Sequence, residues 1–152
     1  MSISRMPRRI LFLSLAVGLF AFIGAAELNP EALAYKLPGQ IVWRDTPSSA
    51  TAILAGDPSK PGLYVELIRW HPNHGSRPHS HPNDRYIYVI SGTWYVGTGP
   101  NYDPDHMVAM PAGTSITHFG KQIHYDGVKD EEALIEIVGE GPASTTSAEA
   151  KK

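Results

Sequence analysis

Residues 75 to 92 read Gly75-Ser-Arg-Pro-His79-Ser-His81-Pro-Asn-Asp-Arg85-Tyr-Ile-Tyr-Val-Ile-Ser-Gly92. His79 and His81 stand two apart, so on a strand both side chains leave the same face. Two imidazoles on one face are half of a metal site, because neutral imidazole suits Zn, Cu, Fe and Ni. The stretch then turns apolar and aromatic and ends at Ser91-Gly92, a turn signal. It predicts a site at the mouth of a small barrel. One residue runs against the pattern. An acidic fourth ligand is natural four residues after His81, and Arg85 stands there.

Working outward, short runs rich in β-branched and aromatic residues alternate with Pro, Gly, Asn and Asp clusters. They predict strands over 40–44, 51–54, 63–71, 85–90, 93–97, 107–110, 115–118, 122–125 and 133–138. Many short strands at regular spacing favour a β-sandwich or closed barrel, and no internal repeat splits the chain. The barrel is expected over 40–142. An N-terminal arm over 27–39 precedes it, with Pro30 able to start a helical turn. The tail over 143–152 has almost no large apolar residue and reads as disordered.

Before the arm, Arg5, Arg8 and Arg9 lead into the apolar run Ile10 to Ala26, which ends in small residues. This is the pattern of a signal peptide over 1–26, cleaved before Glu27, and it implies a periplasmic or secreted protein with no membrane attachment afterwards. The chain has no cysteine, which excludes disulfides, thiolate ligands and thiol nucleophiles. Losing the three arginines takes the formal charge from −2 to about −5. With no clustered Lys and Arg, nucleic-acid binding is not expected. No nucleophilic triad, phosphate loop or dinucleotide fingerprint is visible, so the sequence implies no cofactor beyond a metal.

The order glycine, His-x-His, three residues, an acid, six residues, glycine is the first motif of the cupin superfamily. Gly75, His79, His81, Arg85 and Gly92 follow it, with Arg85 in the place of the usual glutamate. Pro111-Ala-Gly113 resembles the start of the second motif. Ser91-Gly-Thr-Trp94 and Gly139-Glu-Gly-Pro142 resemble small secreted single-domain cupins. The resemblance covers roughly residues 54 to 141. It implies an all-β double-stranded β-helix (an RmlC-like jelly-roll barrel), a metal site and, as in many relatives, a homodimer. It does not choose an activity, because one fold hosts many.

The resemblance asks for a third histidine after Pro111-Ala-Gly113. His124 is favoured over His118, since relatives with an extra turn place the ligand there. The metal set is therefore His79, His81 and His124, with His118 as the alternative. The metal would be Zn, Mn, Fe, Ni or Cu, or the site could hold none. Arg85 shares parity with the histidines and is expected inward, facing either a partner acid or a bound small molecule. Glu136 interrupts the apolar run 133–138 and is the best candidate for that acid, with a solvent-facing side chain as an equal reading. Tyr125, beside His124, is a candidate proton donor with core packing as the competing reading. Asp84 reads as a turn residue. Two functions fit: a metal-dependent enzyme acting on a small molecule, or a non-catalytic small-molecule or metal-sensing module.

Overall fold

The computed structural model describes residues 28–150. The signal peptide expected over 1–26 lies outside them. Residues 28–34 belong to a unit of their own, a single turn in which the Glu31 N–H donates to Asn29 Oδ1 at 3.0 Å. Among the described residues no helix is long and apolar enough to cross a membrane.

From Tyr35 onward the regular structure is nearly all strand. In order these are β1 (Arg44–Asp45), β2 (Ser49–Ala55), β3 (Gly62–Trp70), β4 (His79–Ser80), β5 (Arg85–Ser91), β6 (Thr93–Thr98), β7 (Val108–Pro111), β8 (Ser115–His118), β9 (His124–Gly127), β10 (Ala133–Gly141) and β11 (Thr146–Ser147). One sheet has the order β1-β2-β3-β10-β5-β8 and the other β11-β4-β9-β6-β7, with antiparallel pairing throughout. This is the jelly-roll expected from the sequence.

Two expectations need correction. The strand predicted over 40–44 begins only at Arg44. Ahead of it Pro38–Gln40 forms a 3-10 turn, favoured by a proline at its first position and closed by the Leu37 N–H on Gln40 Oε1 at 2.8 Å. The tail is not disordered through Ala150. Thr146 and Ser147 pair with Ser80 and His79, and the Ala148 and Ala150 amides donate to the Pro78 and Pro100 carbonyls. Outside the strand, Arg77 Nε donates to Glu149 Oε2 at 3.1 Å while the Arg77 guanidinium lies 3.9 Å from the Tyr102 ring centre. Backbone pairing and one ion pair hold a segment that has too few apolar side chains to pack by itself.

The period-2 pattern decides what faces the interior. On β3, Tyr64, Glu66, Ile68 and Trp70 share one face; on β5 it is Arg85, Ile87 and Val89; on β10 it is Ala133, Ile135 and Ile137. The apolar members pack with Trp94, Val96 and Val128. Their registers bring Ile135 beside Val89, and Ile137 beside Ile87. The opposite face of β5 leaves Tyr86 and Tyr88 exposed. Gly92 carries the chain from β5 in one sheet to β6 in the other. Its φ is +72°, and a Cβ there would lie 2.1 Å from the Glu132 carbonyl oxygen, so only glycine fits.

Candidate metal centre

The centre is assembled by strand pairing. His79 on β4 lies directly across from His124 on β9, which joins two segments more than forty residues apart. His81 follows β4 by one residue and keeps its facing. On the other sheet, His118 at the end of β8 lies across from Arg85 at the start of β5. His79, His81, His118 and His124 are all buried. Ring centres are 4.8 Å apart for His79 and His81, 4.5 Å for His79 and His124, 5.3 Å for His81 and His124, and 3.8 Å for His118 and His124.

Three of these rings are oriented from behind. His79 Nδ1 meets the Arg77 carbonyl at 2.8 Å, His81 Nδ1 meets the Ser144 carbonyl at 3.0 Å, and His124 Nδ1 meets the Gln122 carbonyl at 3.2 Å. A carbonyl can only accept, so each Nδ1 carries the proton and each Nε2 keeps a lone pair. This is the outer-shell arrangement that fixes metal-binding histidines. One ligand nitrogen from each of the three comes within 4.8 Å of the others, and His79 Nε2 and His81 Nε2 are 3.1 Å apart. Two lone pairs at that separation repel unless a cation lies between them. Bonds of about 2.1 Å to one ion would place cis ligand nitrogens roughly 3.0–3.4 Å apart. The donor set fits a divalent transition metal.

Burial sets the charge state of the rings. It pushes His81 down to about 3, with Arg85 adding to the shift, and His124 down to about 4, with His79 adding. His118 is pushed well below its ordinary value, chiefly by burial. All three are neutral at pH 7, the form that ligates.

Arg85 points inward, as its parity predicted. Its Nη1 donates to His81 Nε2 at 2.6 Å, and its Nη2 pairs with Glu66 Oε1 at 3.2 Å. Burial raises the Glu66 carboxyl and Arg85 pulls it back. The acid facing Arg85 is thus Glu66. The expectation for Glu136 is corrected: it lies across from Leu67 and Tyr88 on the outer face, because Ile135 and Ile137 take the inward positions of β10. For Tyr125 the packing reading holds and the proton-donor reading does not. It alternates with His124 and Asp126, so its buried ring packs on Gly97 and 5.2 Å from Tyr102, with its hydroxyl donating to the Asp103 carbonyl at 3.4 Å. Asp84 accepts the Gly120 N–H at 2.7 Å and ties two loops together.

Two site residues escaped the sequence reading. Glu66 breaks an apolar strand just as Glu136 does, and that was its only signal. Asp126 stands two residues after His124 and so shares its face. It is buried, accepts the Ser76 hydroxyl at 3.0 Å, and has its carboxyl raised by burial. A cavity of about 610 Å³ opens beside the histidines. Ile68, Trp70, Ile87, Trp94, Ile135 and Ile137 line it together with His79, His81, His118, Glu66, Arg85 and Asp126, and Ala143, Thr145 and Ser147 of the tail add to its lining.

No family model matches the sequence, and no curated protein matches it at a significant level. Solved structures do match. The polyketide cyclase RemF from Streptomyces resistomycificus superposes with a TM-score of 0.65 at 13% identity, covering 79% of this chain and 88% of that one. An RmlC-like cupin from Shewanella frigidimarina gives 0.57 at 16% identity, covering 71% and 91%. The DMSP lyase DddQ from Ruegeria pomeroyi gives 0.58 at 13% identity, covering 73% and 64%. At these identities the likeness establishes the fold.

Proposed function

We propose that this chain, a cupin by fold, is a metal-dependent protein that acts on a small and largely apolar molecule, with His79, His81 and His124 as the metal ligands. The observation that carries the reading is the set of three buried imidazoles, each held by Nδ1 on a backbone carbonyl and each with a ligand nitrogen within 4.8 Å of the others'. A bound divalent metal would polarise an oxygen of the ligand or acidify a water. The chain's own residues do the rest. Ile68, Trp70, Ile135 and Ile137 give the cavity an apolar wall that excludes water from one side. Arg85 offers a fixed donor fork beside the histidines, and Glu66 neutralises its charge, so the wall selects an oxygen-bearing head without requiring a full anion. Asp126 is a second buried carboxyl within the same cavity. That similar folds include a cyclase and a lyase supports an enzymatic role. The leader pattern supports export, and the exposed Tyr86 and Tyr88 face is compatible with a homodimer.

The test is metal analysis of protein purified without added metal, repeated on His79→Ala and His124→Ala. About one equivalent in the wild type, lost in both variants, supports the reading. A second reading rests on one contact: Arg85 Nη1 occupies the His81 lone pair at 2.6 Å. It makes the chain a metal-free binding module. Absence of transition metal from a folded wild type, together with a thermal shift from small carboxylates or sugars, would favour it.

A further inference from the structure

We infer that residues 143–150 are a strap across the mouth of the cavity, which opens to admit a ligand and is latched shut by Glu149 on Arg77. The inference rests on the cavity and goes beyond the metal reading, which it does not need.

Thr145 and Ser147 line the cavity and are also exposed, so the tail lies where the cavity meets solvent. What holds it there differs from what holds the barrel. β11 is a two-residue strand at the edge of its sheet. On either side of it the Ala143, Ala148 and Ala150 amides donate to the carbonyls of Pro58, Pro78 and Pro100, at 2.7, 2.9 and 3.0 Å. Among the described tail residues, Ala143 alone packs against the core cluster. Water can replace backbone bonds at an exposed edge, and no large apolar side chain has to leave the core. Segments held in this way open at far lower free energy than core strands do. Ile87, Ile135 and Ile137 also line the cavity, but they belong to the core cluster and their strands cannot swing out. Movement that admits a ligand therefore falls to the tail.

The latch is prepared on the barrel. The Arg77 guanidinium lies 3.9 Å from the Tyr102 ring centre, which holds it in place to receive the Glu149 carboxylate. The two side chains are 58% and 33% exposed, so the pair is weak enough to break and re-form. Closure also sets the site: it brings the Ser144 carbonyl to His81 Nδ1, at 3.0 Å, and adds the Thr145 and Ser147 side chains to the lining.

The experiment uses the full chain. It has no cysteine, so Ser80→Cys with Thr146→Cys gives a single disulfide between directly opposed positions of β4 and β11. These positions alternate with His79 and Ser147, which puts the cross-link on the side away from the cavity. Hydrogen exchange read by mass spectrometry should show wild-type tail amides exchanging at least about a hundredfold faster than those of β10, and slowed at least about tenfold by the disulfide. Tail amides as slow as β10, or as fast as an unstructured peptide, overturn the inference. Acrylamide is the probe of access, because Trp70 and Trp94 line the cavity. With Trp43→Phe added to remove the third indole, oxidation should cut quenching by about half or more. Equal quenching of the oxidised and reduced forms overturns the strap's place at the mouth. Glu149→Gln should speed tail exchange about threefold, as expected for an exposed pair; unchanged exchange overturns the latch. Should the disulfide not form, exchange in the wild type and in Glu149→Gln decides alone. No readout involves a metal, so the three-histidine reading stands or falls separately.

Discussion

Replacing Glu66 by leucine should destabilise the protein more than any other single charge removal in the barrel. The substitution deletes the acceptor and the negative charge that face Arg85 while keeping a similar volume. The side chains of Arg85 and Glu66 are only 12% and 14% exposed, so water cannot take over the pairing. Removing one partner of a buried pair costs about 3–5 kcal/mol, because the other charge stays buried and uncompensated. Arg85 keeps its bond to His81, which puts the expected loss near the lower bound, about 3 kcal/mol. With roughly 120 ordered residues the unfolding entropy makes each kcal/mol worth about 4 °C, so the melting temperature should fall by about 12 °C. Urea denaturation of metal-free protein measures the loss. A cycle with Arg85→Met isolates the pair: the double variant should recover more than about half of the cost, as buried pairs replaced on both sides are often neutral. Arg85→Met should also raise zinc affinity, since it removes a nearby cation and releases the His81 lone pair. A Glu66→Leu cost within about 0.5 kcal/mol of zero, or a double variant no more stable than Glu66→Leu, would refute the reasoning.

Acid should destabilise the metal-free protein from below about pH 6.5. His81 and His124 are held near 3 and 4 in the folded state, so between those values and the ordinary imidazole pKa the unfolded chain binds more protons. Their contribution is fully present above that window and is lost as pH falls through it; a urea midpoint that is flat from pH 7 to 4.5 would contradict this. Ending the chain after Pro142 removes the Ser144 carbonyl that orients His81, along with the strand that pairs with His79. Zinc affinity should fall about 10–100-fold, and an unchanged titration would show that the tail does not hold the ligand. Gly92→Ala should cost at least about 2 kcal/mol in urea denaturation, because it combines a positive φ with a backbone collision. Glu136→Ala should leave both stability and zinc binding unchanged, in contrast to Glu66.

Long strands were legible because their alternation extends over many residues. Strands β5 and β10 show period-2 burial over seven and nine residues, β3 is a nine-residue run rich in apolar and aromatic side chains, and each is legible in the sequence. His79–Ser80 and Thr146–Ser147 were not, since two residues cannot show a period and their pairing partners are remote in sequence. The same distinction governs the site. That Arg85 faces the histidines followed from an even offset within one segment. Which acid answers it did not, because Glu66 and Glu136 interrupt their strands in the same way. Parity within a strand separates two faces but does not say which is inside; register against a neighbour does. Gly139 lies across from Arg85, so the odd positions of β10 line the interior and Glu136 is sent out. Val138 lies across from Val65 and Glu136 across from Leu67, so the intervening even position of β3, Glu66, is turned in. A slip of one residue by β10 against its neighbours would turn Glu136 inward and crowd a second carboxylate beside Glu66. The apolar runs oppose that slip, because it would also expose Ile135 and Ile137. Hydrophobic register thus selects the acid that neutralises the arginine, and neutralising the arginine is what would let a cation sit beside the buried imidazoles.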